Sequence, residues 1–351
     1  MADLNRQWLL KNHPEGMPAE SDFELVERPV AAPADGEILV RADWLSVDPY
    51  MRGRISRQQN YTSGVRVGEV MTGGGVGEVL ESRHPRIAPG DIVEGFGFGW
   101  QEFPVVPGDA VRKVDPTLAP VESALSYLGL PGLTAYFALL DQGRPKPGET
   151  VVISAAAGAV GQVAGQIAKI MGCRAVAITS SDEKLAWTRE LGYDAGINYR
   201  TAPDLEAAVH AACPDGVDVF FDNTAGPIHD AVMANLAAHA RVIVCGTVAL
   251  ADRFDRPDVG LRHLRKILVT RAHVRGFLLF DYAGRYEEGR QQLALWADSG
   301  RLRHREDVLE GIERMPEAFL RLLTSRNLGK QLVRLEIIRS SRAARVNGST
   351  R

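Results

Sequence analysis

The stretch from Thr150 to Met171 restricts this chain more than any other. An apolar, β-branched run, TVVIS, passes through Ala156-Ala157-Gly158-Ala159-Val160-Gly161 into VGQVAGQIAKIM, whose apolar residues return at helical spacing. A buried strand that turns through small residues into a helix opens a βαβ unit, which commits the chain to a parallel sheet covered by helices. The alternation continues with the strand RAVAITS, the polar helix DEKLAWTRELG, and further strands at VDVFFDN, ARVIVCG and HVRGFLL. About six parallel strands in a doubly wound, Rossmann-type α/β sheet are therefore expected.

The amino-terminal part obeys a different period. Between about Phe23 and Val114 the runs ILVRADWLSV, VRVGEVMTGGGVGEVLES and DIVEGFGF alternate and are separated by Pro and Gly turns, which predicts a β-rich domain. The glycines at 68, 73, 74, 75 and 77 suit bent barrel strands with bulges. They do not form a nucleotide loop, because the VGEVLES that follows alternates instead of cycling as a helix. At 351 residues the chain exceeds one ordinary core, so two domains are expected. The predicted division is a β-rich domain over 1–125, a nucleotide-binding α/β domain over 126–305, a further helix and strand over 306–338, and a tail over 339–351.

Charge and composition remove several function classes. Acidic side chains number 44 against 41 basic ones, which gives no reason to expect a nucleic-acid partner. No apolar run is long enough for a membrane span, and MADLNRQWLLKNHPEG does not resemble a signal peptide, so a cytoplasmic protein is expected. Cys173, Cys213 and Cys245 are too far apart for a CxxC pair. No histidine or cysteine spacing matches a zinc site, no Gly-x-Ser-x-Gly is present, and Asp252, Asp255 and Asp258 read as a solvated loop. No metal is expected.

The residues that carry chemistry lie around the small-residue loop. Gly158 allows close approach of a pyrophosphate, Gly161 allows close packing of helix on strand, and the helix amino terminus offers N–H groups and positive partial charge. Ala156 replaces the first glycine of the usual pattern, so a purely structural turn stays open as an alternative. The second strand closes with Ser180-Ser181 where an acid would bind the ribose hydroxyls of NAD. Asp182 is expected to cap the next helix, and Lys184, one turn in, could meet a 2′-phosphate or be an ordinary solvated lysine.

The stretches LSVDPYMRGR, LGLPGLTAYFALLD, AAAGAVGQVAGQIAKIMGC, SSDEKLAWTRELGYDAGINYR, FDNTAG, VCG, RGFLLFDY and NLGKQLV, in that order, resemble the leukotriene B4 dehydrogenase-like family. These are zinc-free medium-chain dehydrogenase/reductases that include prostaglandin, 2-alkenal and curcumin reductases. The resemblance spans about Trp8 to Leu335 and implies a GroES-like catalytic barrel over 1–125, a Rossmann cofactor-binding domain over 126–305 and a return to the catalytic domain over 306–338. It also implies NADPH as cofactor and an α,β-unsaturated ketone or aldehyde as substrate, reduced at its carbon–carbon double bond.

Carried over by position, Gly158, Ala159, Val160 and Gly161 match the pyrophosphate loop, and Lys184 and Tyr199 match groups on the 2′-phosphate. Arg200 stands where lysine is common. Asn223, Cys245, Gly246, Thr247, Gly276, Phe277, Leu278 and Asn327 match positions along the ribose and nicotinamide, Cys245 through its backbone. Tyr61, in NYTSGVRVG, is the preferred proton donor and Tyr50 the second candidate, while Ala251 stands where relatives often carry a tyrosine. The family resemblance further implies a homodimer paired through the strand near His273–Leu279. Quinone reduction is the competing activity, and a non-enzymatic NADPH-binding protein the competing class.

Overall fold

The computed structural model describes residues 4–58 and 62–335. Six strands, Thr150–Ser154, Arg174–Thr179, Ala195–Asn198, Val217–Asp222, Leu236–Val244 and His273–Gly276, form one wholly parallel sheet. In space they run third, second, first, fourth, fifth, sixth. This is the doubly wound order, and its switch point falls beside Thr150–Ser154, where open α/β sheets bind ligands.

Alternation along each strand explains why these segments read as continuous apolar runs. Val151 and Ile153 face one core, shared with Val163 and Ile167 of the helix Gly161–Ile170 and Leu293 of the helix Tyr286–Asp298. Val152 faces the opposite core, shared with Val209 of the helix Leu205–Ala212 and Val232 of the helix Gly226–Met233. Both faces are covered, so no polar alternation is left to see.

The other sheet is mixed. Glu37–Ser46 is its central strand, pairing antiparallel with Gly75–Ser82, with Val105–Pro107 and with Lys330–Arg334. Lys330–Arg334 pairs in parallel with Glu306–Glu310, so two strands from beyond the Rossmann sheet complete it. A register shift at Ala42–Trp44 marks a bulge opposite Gly77, where an added Cβ would lie 2.0 Å from the Arg41 carbonyl oxygen. That close approach requires glycine. The core of this domain centres on Trp100, packed edge-on at 5.8 Å from Phe319 of the helix Met315–Leu323.

The strand His273–Gly276 ends the parallel sheet, and all four of its residues are exposed. Beside it, the helix Leu264–Thr270 leaves Leu264, Leu268 and Val269 uncovered. Among the described residues no helix is long and apolar enough to cross a membrane.

Candidate cofactor and substrate cleft

A cavity of about 1300 Å³ runs between the two sheets. Its middle is the loop after Thr150–Ser154. The sharp turn there is taken by Ala155, at φ +49°, while Ala156 is wholly buried. This is how the chain dispenses with the first glycine of the pattern. Gly161 begins the helix, and a Cβ on it would lie 2.4 Å from the Ala155 carbonyl oxygen. Gly158, which lines the cleft, meets only that oxygen, at 3.1 Å. The first domain reaches this loop directly, since the Gly329 N–H donates to the Ala157 carbonyl at 2.9 Å, and Asn327 donates from its side chain to the Gly329 carbonyl at 2.9 Å.

One end of the cleft is cationic. Ser181, not Asp182, caps the helix Asp182–Glu190, with its hydroxyl accepting from the Lys184 N–H. Asp182 is already the first helical residue, and its carboxylate accepts from the Asn198 side chain at 3.0 Å. Ser181 has the extended backbone a cap needs. Lys184 lines the cleft with Tyr199 and Arg200. Its ammonium donates to the Ser325 carbonyl at 2.8 Å, and the Arg200 guanidinium donates to the Thr324 carbonyl at 3.2 Å. Burial first, and then the like charge of Arg200, bring the Lys184 pKa down to about 8. Such a corner, which partners its cations with neutral carbonyls, suits a dianion.

The other end is built on a buried carboxylate that sequence reasoning missed. Asp222, with no exposure, accepts from the Ser154 hydroxyl and from the Thr224 and Ala225 N–H groups. Its other oxygen meets His229 Nδ1 at 2.8 Å, and that hydrogen bond raises the His229 pKa. This network positions the neighbouring Asn223, whose side chain donates to the Ser154 carbonyl at 2.8 Å. The signal was present in FDNTAG, as a carboxylate at the end of a buried strand. The Cys245 N–H donates to the Asp222 carbonyl at 2.8 Å, while burial pushes the thiol up to about 12, which removes thiolate chemistry. Gly246, Thr247, Gly276, Phe277 and Leu278 continue the wall.

Tyr50 lies in the wall on the short helix Tyr50–Arg54, with the Arg54 guanidinium 5.7 Å from its ring centre. Tyr61 lies outside the described residues. Ala251 is buried in the core of the first domain, and its carbonyl accepts from Arg52 at 2.8 Å. Asp255 is not simply solvated, as its spacing with Asp252 and Asp258 suggested. Its carboxylate accepts from the Ser56 hydroxyl and, at 3.5 Å, from the 2 % exposed Arg52. The segment 251–255 is thus clasped to the first domain across the cleft.

On the cleft floor Asp48 is held by Lys330, which is 1 % exposed, and by the Ser46 hydroxyl. With its carboxylate paired to a buried ammonium, this position does not fit a metal ligand. Among the described residues no group of three His, Cys, Asp or Glu could hold a metal ion.

Two family models match the chain: the N-terminal domain of oxidoreductase over residues 6–114, and zinc-binding dehydrogenase over residues 159–295. The NADPH-dependent curcumin reductase of Escherichia coli K12 is 38% identical over 337 residues, covering 94% of this chain and 97% of that protein. The chain belongs to the zinc-free medium-chain dehydrogenase/reductase family. Prostaglandin reductase 1 of Bos taurus, another member, is 38% identical over 333 residues, covering 94% of this chain and 98% of its own. The solved structure of CurA from Vibrio vulnificus in complex with NADPH superposes with a TM-score of 0.89 at 36% identity, covering 95% of this chain and 99% of that one. The fold and the family expected from the sequence are those found.

Proposed function

We propose that the cleft binds NADPH and reduces the carbon–carbon double bond of an α,β-unsaturated ketone or aldehyde. The observation that carries this reading is the cationic corner of Lys184 and Arg200 at a strand end, Ser180-Ser181, that has no acid. A 2′-phosphate supplies the missing negative charge, whereas a free ribose hydroxyl would leave two cations facing each other. Gly158 to Gly161 then hold the pyrophosphate, and Asn223, Cys245 to Thr247, Gly276 to Leu278 and Asn327 line the ribose and nicotinamide. When bound, NADPH supplies the hydride for the electron-poor β-carbon.

The protein's own task is at the carbonyl oxygen, where negative charge develops. A tyrosine hydroxyl, neutral at working pH with a reference pKa of about 10, donates a hydrogen bond there as the hydride arrives, then gives its proton to the α-carbon, and the phenolate left is reprotonated from solvent. We assign this role to Tyr61, with Tyr50 as the second candidate. The clasp of 251–255 onto Arg52 supports exclusion of water from the cleft. Asp48, neutralised by Lys330, supports chemistry without a metal. Turnover of a panel of 2-alkenals, enones and benzoquinones with NADPH tests the activity, and preference for quinones would replace it.

Two accompanying assignments are finer. The exposed edge His273–Gly276, with Leu264, Leu268 and Val269 beside it, supports a homodimer paired edge to edge about a two-fold axis. Monomeric scattering at micromolar concentration would contradict it. The free thiols of Cys173, Cys213 and Cys245 support a cytoplasmic setting, checked by cell fractionation.

A further inference from the structure

The helix Met315–Leu323 ends in an unusual way. The Ser325 N–H donates to the Leu322 carbonyl at 3.1 Å and the Arg326 N–H to the Arg321 carbonyl at 2.8 Å, the paired bonds of a Schellman cap. The residue after the cap must then be left-handed, a place where glycine is usual. Here it is Ser325, at φ +57°. This geometry aims the Ser325 carbonyl out of the first domain and across the cleft. It accepts there from Lys184 at 2.8 Å and, weakly, from the Ser180 hydroxyl at 3.5 Å, while the Thr324 carbonyl accepts from Arg200 at 3.2 Å. The carboxyl end of a helix carries negative partial charge, so it attracts both cations without neutralising either.

We propose that this helix end is a cofactor-selectivity element, with Ser325 a positioning residue whose left-handed backbone holds Lys184 ready for a 2′-phosphate. An unrestrained lysine must give up side-chain freedom when it binds phosphate. Tied at one N–H to Ser325, Lys184 has lost that freedom beforehand and keeps two N–H groups for the ligand. Selectivity for NADPH is therefore set partly from outside the Rossmann domain, by a helix that packs through Phe319 into the barrel core. The inference rests on the assignment of Lys184 to the 2′-phosphate.

The test is a series at Ser325, read as the ratio of NADPH to NADH affinity by fluorescence titration of the full chain. Glycine takes the left-handed region freely, any residue with a Cβ meets a penalty there, and a β-branched residue is a genuine outlier. Ser325→Gly should keep the wild-type ratio within about twofold. Ser325→Val should lower it by about tenfold, because a β-branched side chain resists the left-handed backbone. NADH lacks the phosphate, so a general loss of folding would move both affinities together and leave the ratio unchanged. If Ser325→Val does not fold, Ser325→Thr, also β-branched but keeping the hydroxyl, is read in its place, and a ratio equal to that of Ser325→Gly overturns the positioning role. Lys184→Ala separates the two levels of the argument. A collapsed ratio in Lys184→Ala with a flat Ser325 series overturns the positioning role alone, and an unchanged ratio in Lys184→Ala overturns the 2′-phosphate assignment beneath it. In the Lys184→Ala background, Ser325→Val should have no further effect on the ratio.

Discussion

The two ends of the cleft are built differently. At the proposed phosphate end, two side chains of the Rossmann domain, Lys184 and Arg200, meet backbone carbonyls of the helix end at Ser325 and Thr324. At the other end, the wall is a short helix carrying Tyr50 and a clasped segment, 251–255, whose acceptors are the Ala251 carbonyl and the Asp255 side chain. Backbone is hard to change by substitution and side chains are easy. Substitution can remove the Lys184 and Arg200 donors or the Asp255 acceptor, but not the Thr324 and Ser325 carbonyls that hold the two cations in place.

The largest expected effect lies at the substrate end. Tyr61→Phe keeps the ring and removes only the hydroxyl, so kcat on 2-alkenals should fall by about 10² or more while NADPH affinity holds. Full turnover by Tyr61→Phe would move the role to Tyr50, and Tyr50→Phe is then the variant to measure. At the phosphate end, Lys184→Ala should narrow the gap between NADPH and NADH binding by about 1.5–3 kcal/mol, the scale of a charge-assisted contact. Between them, Gly161→Ala should cost about 1–3 kcal/mol of stability in denaturant unfolding, because its Cβ would meet the Ala155 carbonyl oxygen at 2.4 Å. A neutral result there would mean the loop yields more easily than a main-chain site should.

A smaller effect is set by pH. Lysine ordinarily keeps its charge to about pH 10. With its pKa lowered to about 8, Lys184 is charged below that value and neutral above it. Preference for NADPH should therefore be full near pH 7 and decline as pH rises through about 8, while NADH affinity stays level. A preference that holds to about pH 10 would show that Lys184 keeps the charge of an ordinary lysine. The smallest expected effect is that of exhaustive chelation with EDTA, which should leave turnover unchanged. Loss restored by zinc would contradict chemistry on a floor where Asp48 pairs with Lys330.

What the sequence made legible follows the same division. The strand-turn-helix at Thr150–Met171 announced itself because periodicity and small residues agree locally. Lys184 was visible because an acid was missing beside it. The cap was misassigned to Asp182, since Ser181 and Asp182 are both good caps and only the extended backbone at Ser181 separates them. Asp222, Arg52 and Ser325 were not legible as parts of the site. Each acts through a contact made by folding, with His229 seven residues on, with Ala251 199 positions away, or with Lys184 141 positions away. A left-handed serine leaves no mark in composition or period.

The central claim is that the cationic corner exists for a 2′-phosphate. Direct titration of the unmodified protein with NADPH and with NADH at about pH 7 and low salt tests it most simply, because the two ligands differ only in that group. NADPH should bind at least tenfold more tightly, the scale of about 1.4 kcal/mol that a single charge-assisted contact exceeds. Equal affinity for the two cofactors would contradict it.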